Sequence, residues 1–293
     1  MKQGKRKRAN SGARYLFLVP GLIVYITIIV VPALYSLWLS FFKWDGISRE
    51  KEFVGFKNYQ NLFSNYAFSI ALKNNVIWVI LTLVLIVGAA LLLALLINNK
   101  FKGRVFVRSV LYFPCILSCS LAGVIWTWVY NNQFGMYNGI MDLIGRTEWK
   151  KAWLIDANTA LYAVFLADLW NSVGQPMILF LAGLQTISKD LNEAARIDGA
   201  NRFQVFFYVT IFQLKETFVI VIATQIIHAM KIYDVVRVMT DGGPANATET
   251  LSTLMVTTSF SMKNFGGGSA ISVIMILLMI IVIIPYVSTV SKD

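Results

Sequence analysis

Long apolar runs alternate with short polar stretches along the chain. Tyr15–Phe42, Asn74–Asn99, Ser109–Met141, Leu169–Ser188 and Asn264–Ser291 each contain no Lys, Arg, Asp or Glu. A sixth run, Thr217–Met230, is shorter and is continued by Lys231, Asp234 and Arg237. A helix needs roughly 20 apolar residues to cross a bilayer core. The pattern therefore predicts an all-α, polytopic membrane protein with six spans, at about 15–42, 70–97, 106–131, 157–185, 214–239 and 266–290. Residues 15–290 form a single transmembrane domain behind a basic tail at 1–14.

Composition strengthens this picture. Only 14% of the 293 residues are charged and 57% are hydrophobic, whereas soluble domains carry about 25% charged residues. The net charge of +11 raises the question of nucleic acid, but its distribution answers otherwise. With both termini on one side, that side carries fifteen Lys and Arg residues and the opposite side eight. The positive-inside bias then places both termini in the cytoplasm. The KRKR tail at Lys5–Arg8 reads as a topology signal that also meets anionic lipid. The first apolar run is too long for a signal peptide, is interrupted by Pro20 and Pro32, and lacks a small-residue cleavage site. Cys115 and Cys119 stand four apart without metal-ligand or redox spacing, and read as small packing residues.

The loops differ in kind. The first outside loop, 44–66, carries Trp44, Phe53, Phe56, Tyr59 and Phe63 at intervals that suit an interfacial helix lying flat on the membrane. Two further outside loops are expected at 132–156 and 240–265. The stretch Ser188–Val209, "SKDLNEAARIDGANRFQVFFYV", is polar and helix-friendly between two oily spans. Ser188 is a good N-cap, and Asp190 sits where the helix dipole favours an anion. A short helix over 191–198 should end at Gly199 in the left-handed conformation. Asn201 should cap a second helix, with Gln204 as its capping-box partner. Ala194, Ala195 and Ala200 keep this elbow slim.

Several motifs resemble one family. "EAARIDGA", Glu193–Ala200, resembles the EAA loop of permease subunits in binding-protein-dependent ABC importers. "LAGLQTIS" at 181–188, "YDVVRVMTDGGPANATETL" at Tyr233–Leu251 and "FGGGSAIS" at Phe265–Ser272 are similar to the sugar-permease, maltose-type branch, and "FVGFKNYQNLF" at Phe53–Phe63 is a weaker match. One departure stands out. The family usually carries Leu-Pro-Leu after the EAA loop, where this chain has "IFQL" at 211–214, so the kink expected there lacks its proline.

The resemblance implies a mechanism and partners. A second permease subunit completes a pore in the bacterial cytoplasmic membrane, and an extracellular binding protein delivers a sugar or oligosaccharide. Two ATPase subunits bind ATP and Mg and grip the coupling loops, here about 186–213. Glu193, Ala194, Ala195, Asp198, Gly199 and Ala200 would then form the ATPase-coupling element. No phosphate-binding G-x-x-x-x-G-K-[ST] motif occurs in the chain. It is therefore expected to be a transporter subunit that is not itself an enzyme and holds no cofactor.

Polar groups inside the spans are candidates for the substrate path, because in lipid they must face the protein interior or water. The fourth span offers Asp168, Trp170, Asn171 and Gln175, with Asp168, Asn171 and Gln175 at helical spacing on one face. The fifth offers Gln225, His228, Lys231 and Asp234, three apart. The competing explanation is hydrogen bonding between helices, with a Lys231–Asp234 pair near the outer surface. His228 is the only histidine, which argues against a metal site. Two other function classes compete. An ion-coupled secondary transporter could relay protons through Asp168 and Asp234, but it leaves the Ser188–Val209 stretch unexplained. A membrane-embedded enzyme lacks a nucleophile–base pair in the sequence.

Overall fold

The computed structural model describes residues 18–99 and 101–290, so the basic tail at 1–14 and the first residues of span 1 lie outside the described residues. Helix α1, Val19–Leu39, is apolar on all sides, and Leu39 is its only buried residue. Such a surface is stable only in lipid or against another apolar face. A two-residue hairpin follows, β1 (Phe42–Lys43) paired antiparallel with β2 (Glu52–Phe53). At its tip the Asp45 carboxylate accepts from the amides of Ser48 and Ile47 and from the Ser48 hydroxyl. These bonds favour the ionised form and hold Asp45 down to about 2. Helix α2, Lys57–Phe63, completes the loop, leaving Phe53, Phe56 and Phe63 exposed. The helix anticipated over 44–66 is thus confined to Lys57–Phe63, because Phe53 pairs with Phe42 in the hairpin and Trp44 lies within it.

Helix α3, Tyr66–Asn98, is the central column. Its fully buried Ala90 and Ala94 let a neighbouring helix approach closely. The third span is not the straight helix that 106–131 suggests. It consists of α4, Arg104–Ile116, and α5, Cys119–Val129, bent by 98°. Pro114 removes an amide donor near the end of α4. Leu117 is extended, and Ser118 caps α5 by accepting from Leu121 N at 3.2 Å. After the short α6, Met136–Leu143, the fourth span comprises α7, Ala160–Ser172, and α8, Gly174–Thr186, bent by 44°.

Helices α9 (Lys189–Ile197) and α10 (202–213) form the polar elbow before the fifth span. That span is α11, Lys215–Met230, continued after a break at 231–233 by α12, Asp234–Met239. The missing proline does not remove the break before α11. Leu214 leaves the helical region with ψ 3°, after a wide π-turn over Val205–Thr210. Helix α13 (251–261) turns sharply into α14, Phe265–Val290.

The core has two parts. One gathers Trp78, Phe165, Met177 and Phe180 where α3, α7, α8 and α11 meet. The other gathers Phe68, Ile226, Leu251 and Ile271 beneath the outer loops. The FGGG run serves this second region. A Cβ on Gly266 would lie 1.9 Å from the Phe42 carbonyl oxygen, and one on Gly268 would lie 1.8 Å from Ser259 Oγ. Only glycine lets the start of α14 reach the hairpin, where Phe265 N donates to Trp44 O at 2.9 Å.

Candidate functional site

The polar elbow folds as its sequence dictates. Ser188 Oγ accepts from Asp190 N at 3.2 Å. At the end of α9, Asp198 N donates to Ala194 O at 3.0 Å and Ala200 N to Ala195 O at 2.9 Å. Gly199 between them has φ +85°, the left-handed conformation that glycine adopts without strain. Asn201 and Gln204 then form a reciprocal capping box at 2.8 and 3.0 Å. Glu193, Ala194, Asp198 and Gly199 are exposed, while Ala195 and Ala200 are half-buried. Ile197 and Phe203 stand 86% and 77% exposed on either side of the turn. The elbow thus offers a slim knob with exposed apolar side chains and the exposed carboxylates of Glu193 and Asp198. Glu193 and Arg202 line a cleft of about 630 Å³ between the elbow and the C-terminal ends of α3 and α8.

The candidate residues within the spans differ in what they touch. Asp168, 1% exposed, joins three helices. Its carboxylate accepts from Trp78 Nε1 at 3.3 Å and lies 3.0 Å from His228 Nε2. Asn171 is spent on the bend between α4 and α5. Its Nδ2 donates to Pro114 O at 2.6 Å and Leu117 O at 3.3 Å, and its Oδ1 accepts from Cys119 Sγ at 3.5 Å. Cys119 therefore bonds as well as packs. Gln225 is buried at 3% exposure, and its Oε1 has no hydrogen-bond partner. Trp170 is half-buried, its ring set edge-on to Trp126 at 6.0 Å.

Gln175, Lys231 and Asp234 are exposed. Gln175, beyond the 44° bend at Val173, is exposed, whereas Asp168 and Asn171 before it are buried. Among the described residues no ion pair joins Lys231 to Asp234. Sequence inspection passed over Trp78, Asn74 and Asn75. Two adjacent asparagines inside an otherwise apolar run were the available signal, since buried amides in lipid need partners.

Comparison with known proteins follows the same lines. The model of a family described as binding-protein-dependent transport system inner membrane component matches residues 76–289. A probable ABC transporter permease protein, YurN of Bacillus subtilis, is 34% identical over 268 residues, covering 91% of each chain. The trehalose/maltose transport system permease protein MalF of Thermococcus litoralis is 31% identical over 285 residues, covering 97% of this chain and 95% of that one. A chain from the crystal structure of a bacterial ABC transporter that imports the acidic polysaccharide alginate superposes with a TM-score of 0.82 at 19% identity. The match covers 96% of this chain and 95% of that one, a likeness of fold.

Proposed function

Because the chain belongs to the family of binding-protein-dependent transport system inner membrane components, we propose that it forms half of the path by which a sugar or oligosaccharide enters the cell. A second, homologous permease supplies the other half. An extracellular binding protein delivers the solute, and two ATPase subunits supply ATP hydrolysis from the cytoplasm. Both termini lie on that cytoplasmic side, as the fifteen-to-eight distribution of Lys and Arg favours.

The observation that carries this reading is the elbow: a helix, a left-handed Gly199 and a capped second helix, with Ile197 and Phe203 exposed. A polar loop that served only to connect spans would need neither a reciprocal cap nor exposed large apolar side chains. In this reading Glu193, Ala194, Ala195, Asp198, Gly199 and Ala200 enter an ATPase cleft. The solute passes the polar groups of the fourth and fifth spans. Gln225, with its unpartnered oxygen, and the exposed Gln175, Lys231 and Asp234 offer amide and charged groups. Trp170 supplies an aromatic face, and the Asp168–His228 pair ties the two spans that flank the path.

Affinity purification of the tagged chain from its own host tests the partnership. A second permease and an ATPase pair are expected in stoichiometric amounts. A stable, transport-competent homodimer would refute the heteromeric arrangement.

A further inference from the structure

The outer half of the molecule contains a fold-back that the coupling function leaves unexplained. Helix α12 ends at Met239, and residues 240–250 return to the break between α11 and α12. There Thr250 Oγ1 donates to Ile232 O at 3.1 Å, and Ser252 Oγ to Met230 O at 3.4 Å. Helix α13 then runs antiparallel to the start of α14, with Leu251 and Leu254 in the same core as Ile271 and Met275.

Two neighbouring side chains of α3 hold this fold-back. Asn75, 1% exposed, donates to Ala229 O at 3.3 Å and Met230 O at 3.5 Å, and its Oδ1 accepts from Leu251 N at 2.7 Å. One amide thus serves the carbonyl end of α11 and the amide end of α13, groups that lack partners within their own helices. Asn74, 5% exposed, donates to Ala247 O at 3.0 Å and Glu249 O at 2.9 Å. The pair stands at the end of the charge-free run Asn74–Asn99, next to the exposed Lys73. The fold-back therefore sits at the edge of the membrane, and its bonds to α3 make 240–250 more than a simple outside loop. At this level Lys231, Asp234, Asp241 and Asn246 are exposed beside the buried Val235, Val236 and Thr248. Exposed charge at the mouth of a span belongs against water rather than lipid.

We infer that Asn74 and Asn75 are positioning residues for transport: they pin the fold-back to α3 and so hold the rim Lys231–Asn246 against the outer half of the solute path. This rests on the proposal above that the path runs past Lys231 and Asp234. Asn74 and Asn75 touch no solute themselves. They act through the backbone of 229–251.

The test uses the full transporter in cells and Asn246→Cys as a reporter, labelled from outside with a membrane-impermeant maleimide. Labelling of the chain without that cysteine is subtracted. Asn75→Leu and, at the other latch residue, Asn74→Ala should each speed labelling several-fold. Combined, they should do little more than either alone, because both break one latch. Each should also raise KM for the sugar on which growth depends on this chain, at unchanged membrane level. Should Asn75→Leu fail to accumulate, Asn74→Ala carries the same expectation. Unchanged labelling in Asn74→Ala at normal membrane level overturns the latch. Faster labelling with unchanged KM shows that the latch exists but the rim is off the path, which overturns the positioning role.

Discussion

Gly199→Val is expected to abolish uptake while leaving the amount of protein in the membrane nearly normal. Gly199 holds φ +85°, and a Cβ built there meets nothing within 4 Å. Space is therefore not the obstacle; backbone conformation is. A β-branched residue in the left-handed region costs roughly 1–2 kcal/mol, and the turn can relieve that strain by rotating α10 away from α9. No span packs against Gly199, so folding of the membrane domain should proceed. What changes is the angle of the knob that the proposal above places in an ATPase cleft. Glu193→Ala should act more mildly, since it removes one exposed carboxylate and leaves the turn intact. Uptake, membrane level and ATPase co-purification measured side by side check both variants. Normal transport by Gly199→Val at normal expression would remove the elbow from the coupling mechanism.

Asp168→Ala is expected to act by the opposite route, lowering the amount of folded protein. The carboxylate is 1% exposed and joins α3, α7 and α11 through Trp78 and His228. Truncation strands the buried indole N–H of Trp78 and takes the partner from the half-buried His228, at a cost on the order of 3 kcal/mol. Asp168→Asn keeps one acceptor oxygen and should retain much of the lost stability. His228→Ala should cost little more in the Asp168→Ala background, because the partners act as one unit. Detergent-solubilised melting curves read the effect. A wild-type melting point for Asp168→Ala would mean that the three helices do not depend on this tie.

The elbow was legible to the residue because its structure is local. Ser188, Gly199, Asn201 and Gln204 act on backbone within four positions of themselves, and their chemistry admits few alternatives. The spans were legible as apolar length. Their breaks were not: Pro114 and Ser118 stand at a 98° bend inside the expected span 106–131, and Leu214 breaks its helix without any proline. The side-chain partners of the polar residues were not legible. Asp168 meets His228 across 60 positions of sequence, and Asn75 meets Leu251 across 176. No periodicity within one span reports such a pairing. The spacing of Asp168, Asn171 and Gln175 was legible, but not that Gln175 would stand exposed while the other two are buried. FGGG was recognisable as a motif, but its necessity became clear only when the Phe42 carbonyl was found against Gly266.

The most direct test of the account is the ATP hydrolysis rate of the reconstituted assembly, with and without the substrate-loaded binding protein, across a panel of sugars. This chain, its permease partner and the ATPase pair should hydrolyse ATP several-fold faster when the loaded binding protein is present. Gly199→Val should abolish that stimulation. Uptake by this chain in vesicles without ATP or ATPase, driven by a proton or sodium gradient, would contradict the account.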